Sequence, residues 1–197
     1  MIQRIYTQIH DFMATHDEGI VRDFASALPP LDDLGQKHRS DLFIDPSYLL
    51  HKMGDSTDET RALAESALSL GEEGWANMFP PGDYPSRVYE FSAWLPVAMR
   101  EGPLVWTRGV VEFMIIGAGR KLPTVRHPGD ELYVVLAGEV ASDRREFGRT
   151  ELGANMWLRN PPYTPHNLET KDVGAMILTI WRDLKENESR NNMEVVA

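Results

Sequence analysis

Cysteine is missing from all 197 residues. The chain therefore has no disulfide, no thiolate nucleophile and no thiolate metal ligand, which excludes iron–sulfur and structural zinc–cysteine sites. A metal would have to be held by imidazole and carboxylate, a donor set suited to Zn, Fe, Mn, Co, Ni or Cu. The same absence fits a cytoplasmic protein. Positive charge is in deficit: 20 Lys and Arg face 30 Asp and Glu, giving a formal charge of -10 and a pI near 5.0. That balance argues against a nucleic-acid surface. No run approaches the ~20 apolar residues that span a bilayer. The opening MIQRIYTQIHDFMATHDE is interrupted by Arg4, His10 and Asp11, so no signal peptide is expected. Histidine is scarce, and its placement is informative. His10, His16, His38 and His51 fall in the first half without mutual ligand spacing, and only His127 and His166 fall in the second.

What is present suits one domain, or a small domain with an extension. Hydrophobic residues make up 42%, enough for a core. Ile2, Ile5, Tyr6, Ile9, Phe12 and Met13 recur at helical spacing. A shorter helix is expected over Ile20 to Leu28, stopped by Pro29-Pro30. Leu31 to Asp45 reads as loop, and Pro46 to Met53 as a helical turn or two. Asp55-Ser-Thr-Asp-Glu is a helix start, with Gly71 as the stop. Residues 74–85 carry Trp75, Phe79, Pro80, Pro81 and Tyr84 and read as irregular chain on a core. Tyr89 to Met99 reads as a short helix or an extended segment. From Leu104 the period becomes two. Short strands are expected over 104–107, 110–117, 122–127, 131–140, 145–151, 154–159, 166–169 and 173–181, the pattern of a sandwich or barrel. Met114, Met156 and Met176 fall at strand spacing and read as core. The expected division is a helical region over 1–103, a β-barrel over 104–184 and a flexible tail over 185–197.

The stretch GRKLPTVRHPGDELYVVLAG, Gly119 to Gly138, carries the chemistry. In a strand, Glu131, Tyr133 and Val135 share one face and Leu132, Val134 and Leu136 the other. The second set suits packing against another layer. The first puts a carboxylate and a phenol toward the barrel centre. A buried carboxylate must be paired or bound to a metal. His127, four residues earlier across a Pro-Gly corner, offers a neutral imidazole. A surface histidine, an ion pair of Glu131 with Arg126 or Arg120, and a purely packing Tyr133 are the competing readings of these residues.

The stretch resembles the first motif of the cupin superfamily: Gly, five residues, His-x-His, three or four residues, Glu, six residues, Gly. Gly119, His127, Glu131 and Gly138 match it. Asn160-Pro-Pro-Tyr-Thr-Pro-His166 is similar to the second motif, a proline-led turn ending in the last ligand. His-x-x-x-Glu-x-Tyr behind a helical half narrows the resemblance to the cupin-type dimethylsulfoniopropionate (DMSP) lyases. Three positions depart from the pattern. Val125 stands for the first histidine, Leu122 for a mobile tyrosine, and Tyr163 for a glycine. The tryptophan near the end of the barrel is matched by Trp181.

The resemblance implies a mainly β protein: a cupin (double-stranded β-helix, or jelly-roll) barrel preceded by α-helices, in a bacterial cytoplasm and as a homodimer. It implies a divalent transition metal (Zn, Fe, Mn, Co or Ni) on His127, Glu131 and His166. Tyr133 would be the catalytic base, and Tyr163 and Trp181 would contact a small-molecule substrate. The implied reaction is β-elimination of DMSP, or of a related small carboxylate, to dimethyl sulfide and acrylate. A cation near Tyr133 would bring its hydroxyl down from ~10 toward neutrality. A non-catalytic cupin that binds a small molecule, and another metal-dependent cupin enzyme such as a dioxygenase or isomerase, are the competing classes.

Overall fold

The structure, a computed structural model of the chain, describes residues 1–37, 44–71, 74–77 and 90–196. His38, the remainder of the loop up to residue 43, and the aromatic stretch with Phe79, Pro80, Pro81 and Tyr84 lie outside the described residues.

Among the described residues, four α-helices come first: α1 (Ile2–Thr15), α2 (Gly19–Ala27), α3 (Ser47–Leu50) and α4 (Asp58–Leu68). In α1 the residues at three- and four-residue spacing, Ile5, Tyr6, Ile9 and Met13, form its buried face. The start of α4 is a reciprocal cap. Thr57 Oγ1 accepts from the Thr60 N–H, and Thr60 Oγ1 accepts from the Thr57 N–H. Asp58 and Glu59 then favour the first turn. Thr60 also donates to the Leu136 carbonyl at 2.7 Å.

Ten strands follow the helices or interleave with them: β1 (Gly35–Gln36), β2 (Ser92–Met99), β3 (Leu104–Val105), β4 (Val110–Ile116), β5 (Val125–Arg126), β6 (Asp130–Arg144), β7 (Gly148–Gly153), β8 (Trp157–Asn160), β9 (Ala175–Arg182) and β10 (Glu194–Val195). The main hydrogen-bonded path is β1-β3-β2-β4-β9-β6-β7, with β8 on β6. β6 serves two layers. Its first half lies between β9 and β8, and its second half pairs with β7. Pairing of β6 with β9 slips between Val135 and Ala137, a bulge at Leu136. The bulge is where Thr60 ties α4 to the strand.

Bridges join Arg144 and Val125 to His166, and Ala141 and Lys121 to Glu169. The segment 166–169 therefore runs between the end of β6 and the β5 region, and β10 adds outside β5. The result is two facing layers, and the path has two ends, so the barrel is not closed. Gly138 explains one motif position. It has φ 75, and a Cβ there would run into the Gly174 carbonyl. Among the described residues no helix is long and apolar enough to cross a membrane.

The structure corrects four expectations. Ser92–Met99 is the strand β2, the extended alternative for that stretch, buried along its whole length, so the sheet reaches into the region assigned to helices. Its run of apolar residues packs on both faces, which erases the period-two signal. The described part of the tail packs on the fold: β10 pairs with β5, the Val196 N–H donates to the Thr124 carbonyl, and Arg190 is buried. The 166–169 stretch makes bridges without forming a strand of its own. Met156 is 48% exposed rather than core.

Candidate metal centre

Four strands of one layer set the site. Strand register aligns Val110, Trp181, Glu131 and Asn160 in one row across β4, β9, β6 and β8. The next row is Glu112, Thr179, Tyr133 and Leu158. The third is Met114, Ile177 and Val135. The inner face thus changes from acid and indole, through mixed polar groups, to hydrocarbon.

His127 enters this face from the Pro128-Gly129 corner, and His166 comes from the opposite layer. Ligand atoms of His127, Glu131 and His166 all lie within 4.8 Å of one another, and all three residues are buried. Glu131 Oε2 is 3.3 Å from His127 Nε2 and 3.0 Å from His166 Nε2. Ligands at ~2.0–2.1 Å around a tetrahedral cation stand roughly 3.3 Å apart.

Hydrogen bonds orient the acid. Trp181 Nε1 donates to Oε1 at 2.6 Å and Asn160 Nδ2 to Oε2 at 2.8 Å. The Trp181 ring also stacks on His127 at 3.8 Å between centroids, fixing the imidazole plane. His166 Nδ1 lies 2.8 Å from the Thr164 carbonyl, which can only accept. Nδ1 therefore carries the hydrogen, and Nε2 of the neutral ring is an acceptor. Two acceptors, His166 Nε2 and Glu131 Oε2, then face each other. Both ring nitrogens of His127 are buried without a hydrogen-bond partner. Such an arrangement is stable only around a positive charge, either a proton or a metal. The donor set fits a borderline divalent cation held by His127, Glu131 and His166, with open positions beside it.

Electrostatics follow the same geometry. Burial pushes the Glu131 carboxyl up, but the two imidazoles outweigh it and hold the group well below the usual carboxylate range. Burial pulls His166 down, but Glu131 outweighs it and raises the imidazole. Tyr133 Oη lies 3.2 Å from His166 Nε2. Burial, and then the Glu131 charge, keep this phenol well above its ordinary value. Glu112 is raised by burial, and Arg190 opposes that shift.

Of the sequence-predicted residues, His127, Glu131, His166, Tyr133 and Trp181 line one cavity that is open at its mouth. Val125 and Leu122, two of the three departures, form part of its apolar wall. Tyr163 is not in that lining. It is 55% exposed, with its hydroxyl toward Glu188. Its φ of 60 is the left-handed conformation that glycine favours, and its N–H donates to the His127 carbonyl at 2.7 Å. The backbone turn is thus retained without the glycine. Arg126 and Arg120 do not pair with Glu131; Arg126 binds Glu194 and Arg120 lies over Phe91.

Sequence reasoning missed Glu112, Thr179, Asn160 and Arg190 as site residues. Glu112 had a signal: one acid in the apolar run VVEFMII. Arg190, in a polar tail, had none.

No family model matches the chain, and no curated protein matches it. Solved structures do. The crystal structure of the DMSP lyase DddQ from Ruegeria pomeroyi DSS-3 matches with a TM-score of 0.82 at 20% identity, covering 99% of this chain and 95% of that one. A chain from the crystal structures of the DMSP lyases RdDddP and RnDddQII matches with a TM-score of 0.79 at 18% identity, covering 100% of this chain and 96% of that one. The chain is a cupin barrel preceded by helices. In particular, it has the fold of the DMSP lyases over nearly its whole length.

Proposed function

We propose that the chain is a metal-dependent cupin lyase that cleaves a carbon–sulfur bond in DMSP or a closely related small carboxylate. The reading rests on the buried His127–Glu131–His166 cluster, whose facing acceptors suit a cation, with a phenol against it. Similarity of fold to two DMSP lyases supports the substrate class.

Bound there, a divalent cation supplies Lewis acidity toward a substrate carboxylate and lowers the pKa of a neighbouring phenol. The residues of the chain do the rest. Trp181 and Asn160 hold Glu131 in place, and the Thr164 carbonyl keeps His166 Nε2 free of hydrogen. Leu122, Val125 and Met114 line the cavity with hydrocarbon. Tyr133, deprotonated, takes the proton from the carbon next to the carboxylate. The C–H electron pair becomes the new double bond, and the C–S pair leaves with sulfur. The products are an unsaturated carboxylate and a neutral thioether.

Elemental analysis of the purified protein, with headspace detection of dimethyl sulfide from DMSP, tests the reading. The expected result is about one divalent metal per chain and turnover that a chelator removes. Tyr133→Phe should keep the metal and lose about 10²–10⁴-fold in kcat. Bound metal without dimethyl sulfide would instead favour a different reaction on the same cluster, and unchanged turnover in Tyr133→Phe would remove that residue from the mechanism.

A further inference from the structure

The middle row of the inner face holds a buried ion pair that the lyase reading does not use. Glu112 is 3% exposed and Arg190 is 9% exposed. Arg190 Nε donates to both carboxylate oxygens, at 3.2 and 2.9 Å. Glu112 is rooted in the centre of the sheet, whereas Arg190 comes from the C-terminal segment. That segment is fastened outside β5 by the β10 pairing and by Arg126 Nη2 to Glu194 at 2.6 Å. Both members of the pair line the cavity that contains the cluster. Two further cavity groups are polar, buried and lack a partner: Thr179 Oγ1 and Asn167 Oδ1. Both can accept a hydrogen bond. Trp94 adds an aromatic face to the same wall, with its ring 5.8 Å from the Arg190 guanidinium.

A buried ion pair rarely stabilises a fold more than hydrocarbon of the same volume would. This one sits on a cavity wall one strand row from the cluster. If a carboxylate engages the cluster, the far end of a short substrate reaches the row of Glu112, Thr179 and Tyr133. The groups around that end are the Glu112 carboxylate with the Arg190 guanidinium bound to it, the Asn167 amide oxygen, the Thr179 hydroxyl and the Trp94 indole; beside the one guanidinium, four groups can receive a sulfonium or quaternary ammonium group.

Building on the lyase reading, we propose that Glu112 is the specificity-determining residue for the positively charged end of an onium carboxylate, and that Arg190 is the positioning residue that holds it. Glu112 shares its charge between the guanidinium and the substrate cation. Arg190 keeps the carboxylate ionised and aimed along the wall while the cavity is empty. The C-terminal segment is therefore part of the binding site.

The test compares two ligands of one shape: DMSP, and 4-methylpentanoate, in which a neutral CH replaces the sulfonium sulfur. Binding of each to metal-loaded wild type, Glu112→Gln, Arg190→Lys and the double variant Glu112→Gln/Arg190→Gln is measured by calorimetry at short mixing times. Bound metal is determined for each variant. The double variant removes both charges together, so neither is stranded in the interior. Wild type should prefer the sulfonium ligand by about tenfold or more. Glu112→Gln and the double variant should bind both ligands alike with metal content unchanged, and Arg190→Lys should keep the preference.

Retention of the preference in the double variant would overturn the assignment. Equal binding of both ligands by wild type would overturn it while leaving carboxylate binding at the cluster intact. Failure of wild type to bind either ligand would sink both this proposal and the lyase reading.

Discussion

The two faces of β4, β9 and β6 come from the same residues in alternation, yet they are built for opposite purposes. The outer face shows Val111, Phe113 and Ile115, then Met176, Leu178 and Ile180, then Leu132, Val134 and Leu136, all in one core with α1, α2 and α4. The inner face shows Glu112, Thr179, Trp181, Glu131 and Tyr133 around the cavity. Adjacent residues thus divide between stability and chemistry. Hydrocarbon buried against helices contributes favourable free energy. Facing acceptors and a buried ion pair cost free energy unless a cation or ligand compensates. Changes on one face should therefore leave the property of the other nearly untouched.

The largest effect expected from breaking this contrast is at Glu131. Glu131→Gln keeps the shape but removes the charge shared by the two imidazoles. Bound metal should fall to background, and turnover should drop by about 10²–10³-fold or more. Thermal unfolding of the chelated protein should shift modestly downward, since the charge that the two imidazoles hold is gone. On the outer face, Leu178→Ala should do the reverse. Its side chain is fully buried, so the loss should be about 2–5 kcal/mol by denaturant unfolding, with metal content per folded chain unchanged. A Leu178→Ala protein that folds normally but loses its metal would show that the faces are coupled.

The smallest effect is titration, and it sharpens the contrast because only the inner face titrates here. Glu131 is held low in the folded protein, so its stabilising contribution is complete above the ordinary carboxylate value and is lost as pH falls through its depressed value. His166 is raised, so its contribution is complete below the ordinary imidazole value and is lost as pH rises through its raised value. The chelated protein should be most stable between these limits and lose stability on the alkaline side. Metal binding requires His166 neutral, so affinity should increase over that same alkaline interval. Unfolding temperatures of chelated protein and metal titrations, from about pH 5 to about pH 9, check both signs.

Much of the inner face was readable in the sequence, because Glu131 and Tyr133 obey period two and His127 and His166 sit at fixed distances from glycine and proline turns. The outer face was readable for the same reason, since Leu132, Val134 and Leu136 fall on the alternate positions. β2 was not: SAWLPVAM is buried on both sides and contains a proline, so alternation carried no information. Arg190 was not legible either, because a polar tail looks the same whether it is solvated or drawn inward by one acid. Tyr163 was read from its place in the motif. There the backbone conformation persists, while the side chain points elsewhere.

The double duty of β6 restricts how anything enters the cavity. One unbroken strand of 15 residues is shared by both layers, so the layers cannot part like the halves of a shell without tearing a ladder. Entry is therefore through the open mouth of the cavity, and the strip of chain that carries Arg190, which positions the selecting acid, is part of that cavity's wall.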